Sequence, residues 1–446
     1  MTLWLLSLLT ILGCTDPDGP GSKDDTGPTS GTADSGDTDN ADGTLPDPDP
    51  DPASDALWDP RGMPAFYLTT DWDDWETELR ALADVEDECE RRPYASVDVT
   101  FYNPQTQEEE VYEDVGWRYR GHSALDNFDE PYERVGFKLS FNEFVDGRRF
   151  QDLRKINLLG TEGDYSSMRE HLALMVMRDM GVPAPRSTYA LLYINGELQG
   201  VFPNTEEADD EPYLEHHFDS DDGSLYKAEG YCGWKADFDY EGDEPRYYEE
   251  TYVPKAKTVP EDMYDDLIPM IECVNQESDA DFSGCIDDWI DVDEWLTEMA
   301  VDASLPDVDG MLGAGQNFML YREPDGRFVV YPWDKDLALS VSNMAEDWTI
   351  ADFHPVWNEE FHSLLGARLI ALNRDAYCGK VLAVAERTDP DVLGADQDAL
   401  MDFLSPFVDA DPFLELERWG WNADDNSEVM VSHHADVLSQ AQACDF

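Results

Sequence analysis

The chain has 446 residues, of which 100 are Asp or Glu and 29 are Lys or Arg, giving a formal net charge of −71 at pH 7. This excludes nucleic-acid binding as a main role, because phosphate backbones are held by clustered cations, and it disfavours anionic lipid surfaces for the same reason. Thirteen Trp, twenty Tyr and nineteen Phe still supply the apolar surface of a folded body, either one elaborated α/β unit or two or three domains.

Residues 1–14 form an apolar run too short to span a bilayer and read as a signal segment. Its end, Ile11-Leu12-Gly13-Cys14, resembles a bacterial lipobox, which implies an exported lipoprotein anchored at Cys14; a conventionally cleaved signal is the alternative. Residues 15–56 are Asp, Gly, Thr, Ser and Pro with almost no apolar side chains, and are expected to be a disordered, extended acidic linker. Specific calcium binding there lacks the EF-hand spacing. Six further cysteines, Cys89, Cys232, Cys273, Cys285, Cys378 and Cys444, allow three disulfides in an exported chain. Cys273 and Cys285 flank a polar loop and are the expected pair; the others stay unordered.

Alternation predicts strands at Ser96–Phe101, Val115–Arg120 and Val135–Phe141, the first two separated by a turn region over Asn103–Glu110. A helix is predicted over Ser166–Met180, stopped by Gly181 and Pro183. Tyr189–Ile194, Asn195-Gly196 and Gly200–Phe202 read as a hairpin around an Asn-Gly turn. Acidic loops are expected over 209–222 and 237–250, then helices over Pro260–Val274 and Val292–Asp302. Asn317–Tyr321 and Phe328–Trp333 are strands joined at Pro324-Asp325-Gly326, and they deliver Asp334 to a strand end. From about Leu364 the chain reads as helices and loops. The pairs His216-His217 and His433-His434 lack metal-ligand spacing and are expected at the surface, and no G-x-S-x-G or H-E-x-x-H motif points to a hydrolase.

Phosphoryl transfer asks a protein chiefly for positioning: carboxylates for a divalent metal, an Asp facing the acceptor hydroxyl, and a cation on the phosphates. Asn317 follows Asp309 by eight positions and Asp334 follows it by twenty-five, the chain order of catalytic Asp, metal Asn and metal Asp in ordinary kinases. Asp334-Lys335-Asp336 would put two carboxylates on one side of an extended strand. In so acidic a chain a solvated strand end is the ordinary explanation of such a pair taken alone. The cations Arg118, Arg120, Lys138, Arg148, Arg149, Arg154 and Lys155 gather in one region, as either a phosphate site or a salt-bridged face.

An ordered set of motifs surrounds these residues. Arg120-Gly121, Lys138, Met168-Arg169-Glu170 and Met180-Gly181-Val182-Pro183 are followed by Tyr193-Ile194-Asn195-Gly196 and Glu206-Glu207-Ala208-Asp209. Leu225-Tyr226-Lys227, Asp309-Gly310, Asn317-Phe318-Met319-Leu320-Tyr321 and Pro332-Trp333-Asp334-Lys335-Asp336 complete it. From Trp58 to Ser342 this set resembles the CotH kinase family. The resemblance implies an α+β, divergent protein-kinase-like two-lobed fold, with a strand-rich first lobe and a mostly helical second lobe. The kinase domain would occupy 57–345, with 346–446 a helical extension of the second lobe.

It also implies ATP and Mg²⁺ or Mn²⁺ as cofactors, and Ser/Thr phosphorylation of proteins outside the cytoplasm; the net charge, separately, leaves no nucleic-acid partner expected. By that likeness Asp309 is catalytic; Asn317, Asp334 and Asp336 hold metal; and Lys138, Glu170, Glu206 and Lys227 serve the nucleotide, Glu170 orienting Lys138. His122 stands where the family has Asn, and Asp307 is the alternative to Asp309 if the alignment slips by two positions. A catalytically inactive kinase-fold scaffold and an acidic calcium-binding envelope protein remain as other readings.

Overall fold

The computed structural model describes residues 55–446 except 60–61, 86–91, 122–124, 126–133, 219, 229, 231–234, 256–259, 325, 342–343, 355 and 357–362. Cys14, residues 15–54 of the expected linker, Cys89, Cys232, His122 and Asp325 therefore lie outside the described residues, while the linker's last two positions, 55 and 56, are helical.

A short helix, α1 (Asp55–Trp58), leads into β1 (Ala65–Thr69), α2 (Trp75–Ala83), β2 (Ala95–Asn103), β3 (Glu108–Arg120), β4 (Gly136–Ser140) and β5 (Lys155–Leu158). After α3 (Arg169–Asp179) come β6 (Ser187–Ile194) and β7 (Glu197–Thr205). The seven strands close into a barrel in the order β1-β2-β3-β4-β5-β7-β6, and the parallel β1–β6 pair makes the closure. The β6–β7 hairpin turns at Asn195 and Gly196, both at positive φ (49° and 86°), as a two-residue primed turn demands. Aromatic rings fill the barrel: Phe66, Phe101, Trp117, Phe137, Phe141, Phe150 and Phe202 are all buried, with Phe141 stacked on Phe150 at 4.8 Å.

The second half begins with α4 (Glu211–Phe218), β8 (Ser224–Ala228), β9 (Tyr252–Pro254), α5 (Leu267–Val274), α6 (Asp279–Cys285) and α7 (Val292–Ser304). It continues with β10 (Phe318–Arg322) and β11 (Phe328–Pro332), then α8 (Leu364–Leu372), α9 (Arg374–Arg387), α10 (Pro390–Val408) and α11 (Leu416–Ala443). Its antiparallel sheet has the order β11-β10-β8-β9. One continuous core joins α3, α5, α7 and the four last helices, so α3 is buried along nearly its whole length between barrel and helices. Disulfides Cys273–Cys285 and Cys378–Cys444 secure this half, the first being the pair expected from sequence. Among the described residues no helix is long and apolar enough to cross a membrane.

The mixed α+β class is as expected, with several local corrections. Strand β3 starts at Glu108, so the turn before it is shorter than the acidic stretch implied. Residues 166–168 precede α3 rather than opening it, because Ser167 sits at φ +57° and Asp164 accepts the amide N–H of Ser166 (2.9 Å) and of Arg169 (2.7 Å). The acidic 209–222 stretch contains α4, whose Tyr213 and Leu214 are buried against Tyr331 and its neighbours. Residues 260–266 form turns, and the helix there begins only at Leu267. His433 is buried rather than exposed: its Nε2 meets the Ala303 carbonyl at 2.8 Å, its ring lies on Trp348, and burial lowers its pKa to about 4.

Candidate active site

The β10–β11 hairpin carries the centre of the site. Its register pairs Phe318 with Pro332, and the Trp333 N–H donates to the Asn317 carbonyl at 3.0 Å, so Asn317 and Asp334 emerge at the same open end. Both adopt left-handed backbone, φ +56° and +57°. Asn and Asp tolerate this region better than other side chains with a Cβ, and such conformations concentrate where function dictates geometry.

Asp309 reaches this end from the loop after α7. Asn317 Nδ2 donates to Asp309 Oδ2 at 2.8 Å, and Gln316 Nε2 donates to Asp309 Oδ1. Lys235 extends the chain, its Nζ donating to Gln316 Oε1 at 2.6 Å. Burial, with Asp307 and Asp334 close by, raises the Asp309 carboxyl to about 7 against the partial relief of Lys235. Asp336 is driven well above the usual range by burial and by Asp334, Glu170, Asp164 and Asp309. Burial and Asp334 raise Glu170 to about 8, and its Oε2 has no hydrogen-bond partner.

Asp309 and Asp336 thus lie close enough to Asp334 for it to raise their pKa values, as it does that of Glu170, and Asp164, not singled out from sequence, adds to the effect on Asp336 and Glu170. Arg120 brings a cation to the hairpin end, 3.4 Å from Asp334 and 5.2 Å from the Trp333 ring centroid. The alternative to Asp309 is also located. Asp307 is almost fully buried on Lys335, while Asp309 is half-buried and faces the hairpin end.

The nucleotide-side residues divide differently. Lys138 pairs with Glu207 at 2.6 Å, not with Glu170, which faces Arg120 and Asp334 instead. Burial, only partly offset by Glu207, lowers Lys138 to about 8. Lys155 joins this group through Asp209 at 2.6 Å and Glu207 at 3.6 Å. Glu206 points elsewhere: its carboxylate takes the Arg186 guanidinium and backbone N–H, and it is buried. Lys227 lies on β8 opposite Met319, in the second sheet. Alternation at the end of a strand puts adjacent acids on opposite faces, so only one of Glu206 and Glu207 can meet Lys138, and the structure shows it to be Glu207.

Among the described residues no three Asp, Glu, His or Cys side chains form a preassembled metal cage. Mg²⁺ is ordinarily held by one or two carboxylates together with substrate phosphates and water, so a cage is not what the chemistry requires. The donor set fits such a cation: several carboxyls raise one another's pKa, and one buried carboxylate oxygen lacks a partner.

The model of the family "CotH kinase protein" matches residues 117–413, about two thirds of the sequence, and the chain belongs to that family. The match runs past residue 345 through α8, α9 and α10. Inner spore coat protein H of Bacillus subtilis is 27% identical over 296 residues, covering 63% of this chain and 78% of the relative. Two solved structures also align: the Helicobacter pylori proinflammatory kinase CtkA and the Shewanella oneidensis HipA–HipB–operator DNA complex. CtkA aligns at 11% identity and TM-score 0.29, over 69% of this chain and 93% of that one. The Shewanella chain aligns at 13% and 0.31, over 84% and 79%. Neither superposes closely enough to bear on the fold.

Proposed function

We propose that this chain is an atypical protein kinase with a two-lobed kinase-like arrangement, transferring the γ-phosphate of ATP to Ser or Thr of proteins outside the cytoplasm. The observation that carries the reading is the convergence of Asp309, Asp334, Asp336 and Glu170 at one hairpin end in a member of the CotH kinase family. In this reading Asp334 and Asp336 hold Mg²⁺ or Mn²⁺, with Asn317 beside them. The metal, when bound, neutralises phosphoryl oxygens and aligns the transferring group.

Asp309 orients the acceptor hydroxyl and takes its proton at a carboxylate oxygen. A pKa near 7 suits that task at neutral pH, and the amides of Asn317 and Gln316 fix the direction of the carboxylate. Lys138 and Lys155 supply positive charge for phosphates, with Glu207 holding Lys138 in place of a helix glutamate. The test follows label from γ-labelled ATP, with Mg²⁺ or Mn²⁺, into casein-like acceptors and into the chain itself. Transfer is expected; protein that neither binds ATP nor transfers phosphate overturns the reading and leaves a scaffold of the same family.

We further propose export with a lipid anchor at Cys14, on the strength of the apolar leader and Ile11-Leu12-Gly13-Cys14. Cys14→Ser is expected to move the protein from the membrane fraction to the soluble one, and retention in the membrane fraction would show that the anchor is not there.

A further inference from the structure

Between Asp334 and Asp336 stands Lys335, fully buried where its neighbours are partly open. Its Nζ lies 2.9 Å from Asp302 Oδ1 on α7 and 2.8 Å from Asp307 Oδ2 on the loop that follows. Asp307 uses its other oxygen to accept the Asp309 N–H at 3.1 Å. The chain at Gly310 lies directly on this pair: a Cβ there would stand 2.7 Å from Asp302 Oδ2 and 2.9 Å from Lys335 Nζ. Glu298, one helical turn before Asp302, is buried beside it, and burial together with the neighbouring Asp302 holds its carboxyl well above the usual range.

Four ionisable groups buried together are costly, and packed apolar side chains of similar volume are often at least as stabilising. What such a network provides instead is a fixed arrangement of the chain segments it joins. Here the segments are three: α7, the loop that carries Asp309, and the strand exit that carries Asp334 and Asp336.

We propose that Lys335 is a positioning residue, whose ammonium ties Asp302 and Asp307 to the strand exit and so fixes where Asp309 stands relative to Asp334 and Asp336. The catalytic consequence rests on the kinase reading above; the tie itself does not. An anchor of this kind acts on the reacting geometry without touching substrate, and an error near 1 Å in such geometry lowers turnover by about 100-fold.

Lys335→Met alone would leave buried carboxylates without their cation, so the informative variant is Lys335→Met/Asp302→Asn/Asp307→Asn, which removes the cation and both its partners' charges together and keeps an acceptor for the Asp309 N–H. Gly310→Ala is the second variant, pressing the loop off the pair with every charge retained. In the full chain, both are expected to speed amide hydrogen exchange over residues 305–312 by about tenfold or more, with exchange in β6 and β7 unchanged. Both should lower kcat by about 30-fold or more, with the KM for ATP changed less than about threefold.

Unchanged exchange over 305–312 in the folded variants overturns the tie. Faster exchange with wild-type kcat overturns its link to catalysis. Faster exchange in a protein whose wild type transfers no phosphate supports the tie and sinks the kinase reading instead.

Discussion

Asp334→Asn and Asp309→Asn are each expected to lower phosphoryl transfer by about 100-fold or more, the loss typical of removing a metal ligand or a positioned catalytic group. The amide is the stringent choice for both. Position 334 needs left-handed backbone at φ +57°, which Asn adopts as readily as Asp, so the hairpin exit is kept. At 309 the amide oxygen still accepts from Asn317, and the one contact given up is that of Gln316, whose Oε1 is held by Lys235 and so cannot turn to meet the new N–H group. What disappears is charge: at 334 for the metal, at 309 for the acceptor proton. A steady-state assay with saturating ATP measures the loss, and near-wild-type kcat in either variant would remove that residue from the mechanism.

Stability should move the other way. Asp309 is raised from about 3.9 in an unfolded chain to about 7 in the folded one by burial and nearby carboxylates. A carboxyl raised in the native state is fully tolerated below the unfolded pKa and opposes folding increasingly as pH rises toward the folded value. Ligand-free Asp309→Asn should therefore match the wild type near pH 4 and exceed its urea midpoint at pH 8. A site whose groups oppose folding is evidence that they are kept for function, since a purely structural carboxylate would be missed in the same experiment.

Legibility from sequence followed the range of the interaction. The β6–β7 turn could be read because Asn195-Gly196 carries its own backbone preference, and the Asn317 to Asp336 arrangement because a tight hairpin brings together what is already close in the chain. Barrel closure could not be read in this way: β1 is five residues long and pairs in parallel with β6, more than a hundred residues on. Alternation gives the faces of a strand, not its neighbours.

The exchange of Glu207 for Glu170 beside Lys138 has the same origin, since the partner depends on which barrel rim faces which loop. Lys335 was visible in sequence only as a spacer between two aspartates. Its burial depends on α7, which presents Asp302 from more than thirty residues earlier in the chain.

Asp411 carried no signal at all in a chain with 100 acidic residues, yet its replacement is expected to have the largest effect on stability. Its carboxylate is fully buried, 2.8 Å from Arg134 Nη1, and it accepts the backbone N–H groups of Val201 (2.7 Å), Phe413 (2.8 Å) and Leu414 (2.9 Å). Arg134 in turn lies over the Phe202 ring at 4.0 Å and donates to the Val201 carbonyl. One carboxylate thus fastens the segment after α10 to the β7 side of the barrel, at a point where Gly200 leaves no room for a Cβ. Asp411→Ala would strand a buried guanidinium and three backbone donors together.

Removing one member of a buried pair costs about 3–5 kcal/mol, a large part of the 5–15 kcal/mol that ordinarily separates folded from unfolded states. Urea unfolding should show a free energy of unfolding lower by that amount for Asp411→Ala, with the midpoint falling accordingly. Asp411→Asn should fall less, because the amide oxygen still accepts backbone N–H groups while the charge is lost. A loss below about 1 kcal/mol in Asp411→Ala would mean that the barrel and the last helices hold together through apolar packing alone.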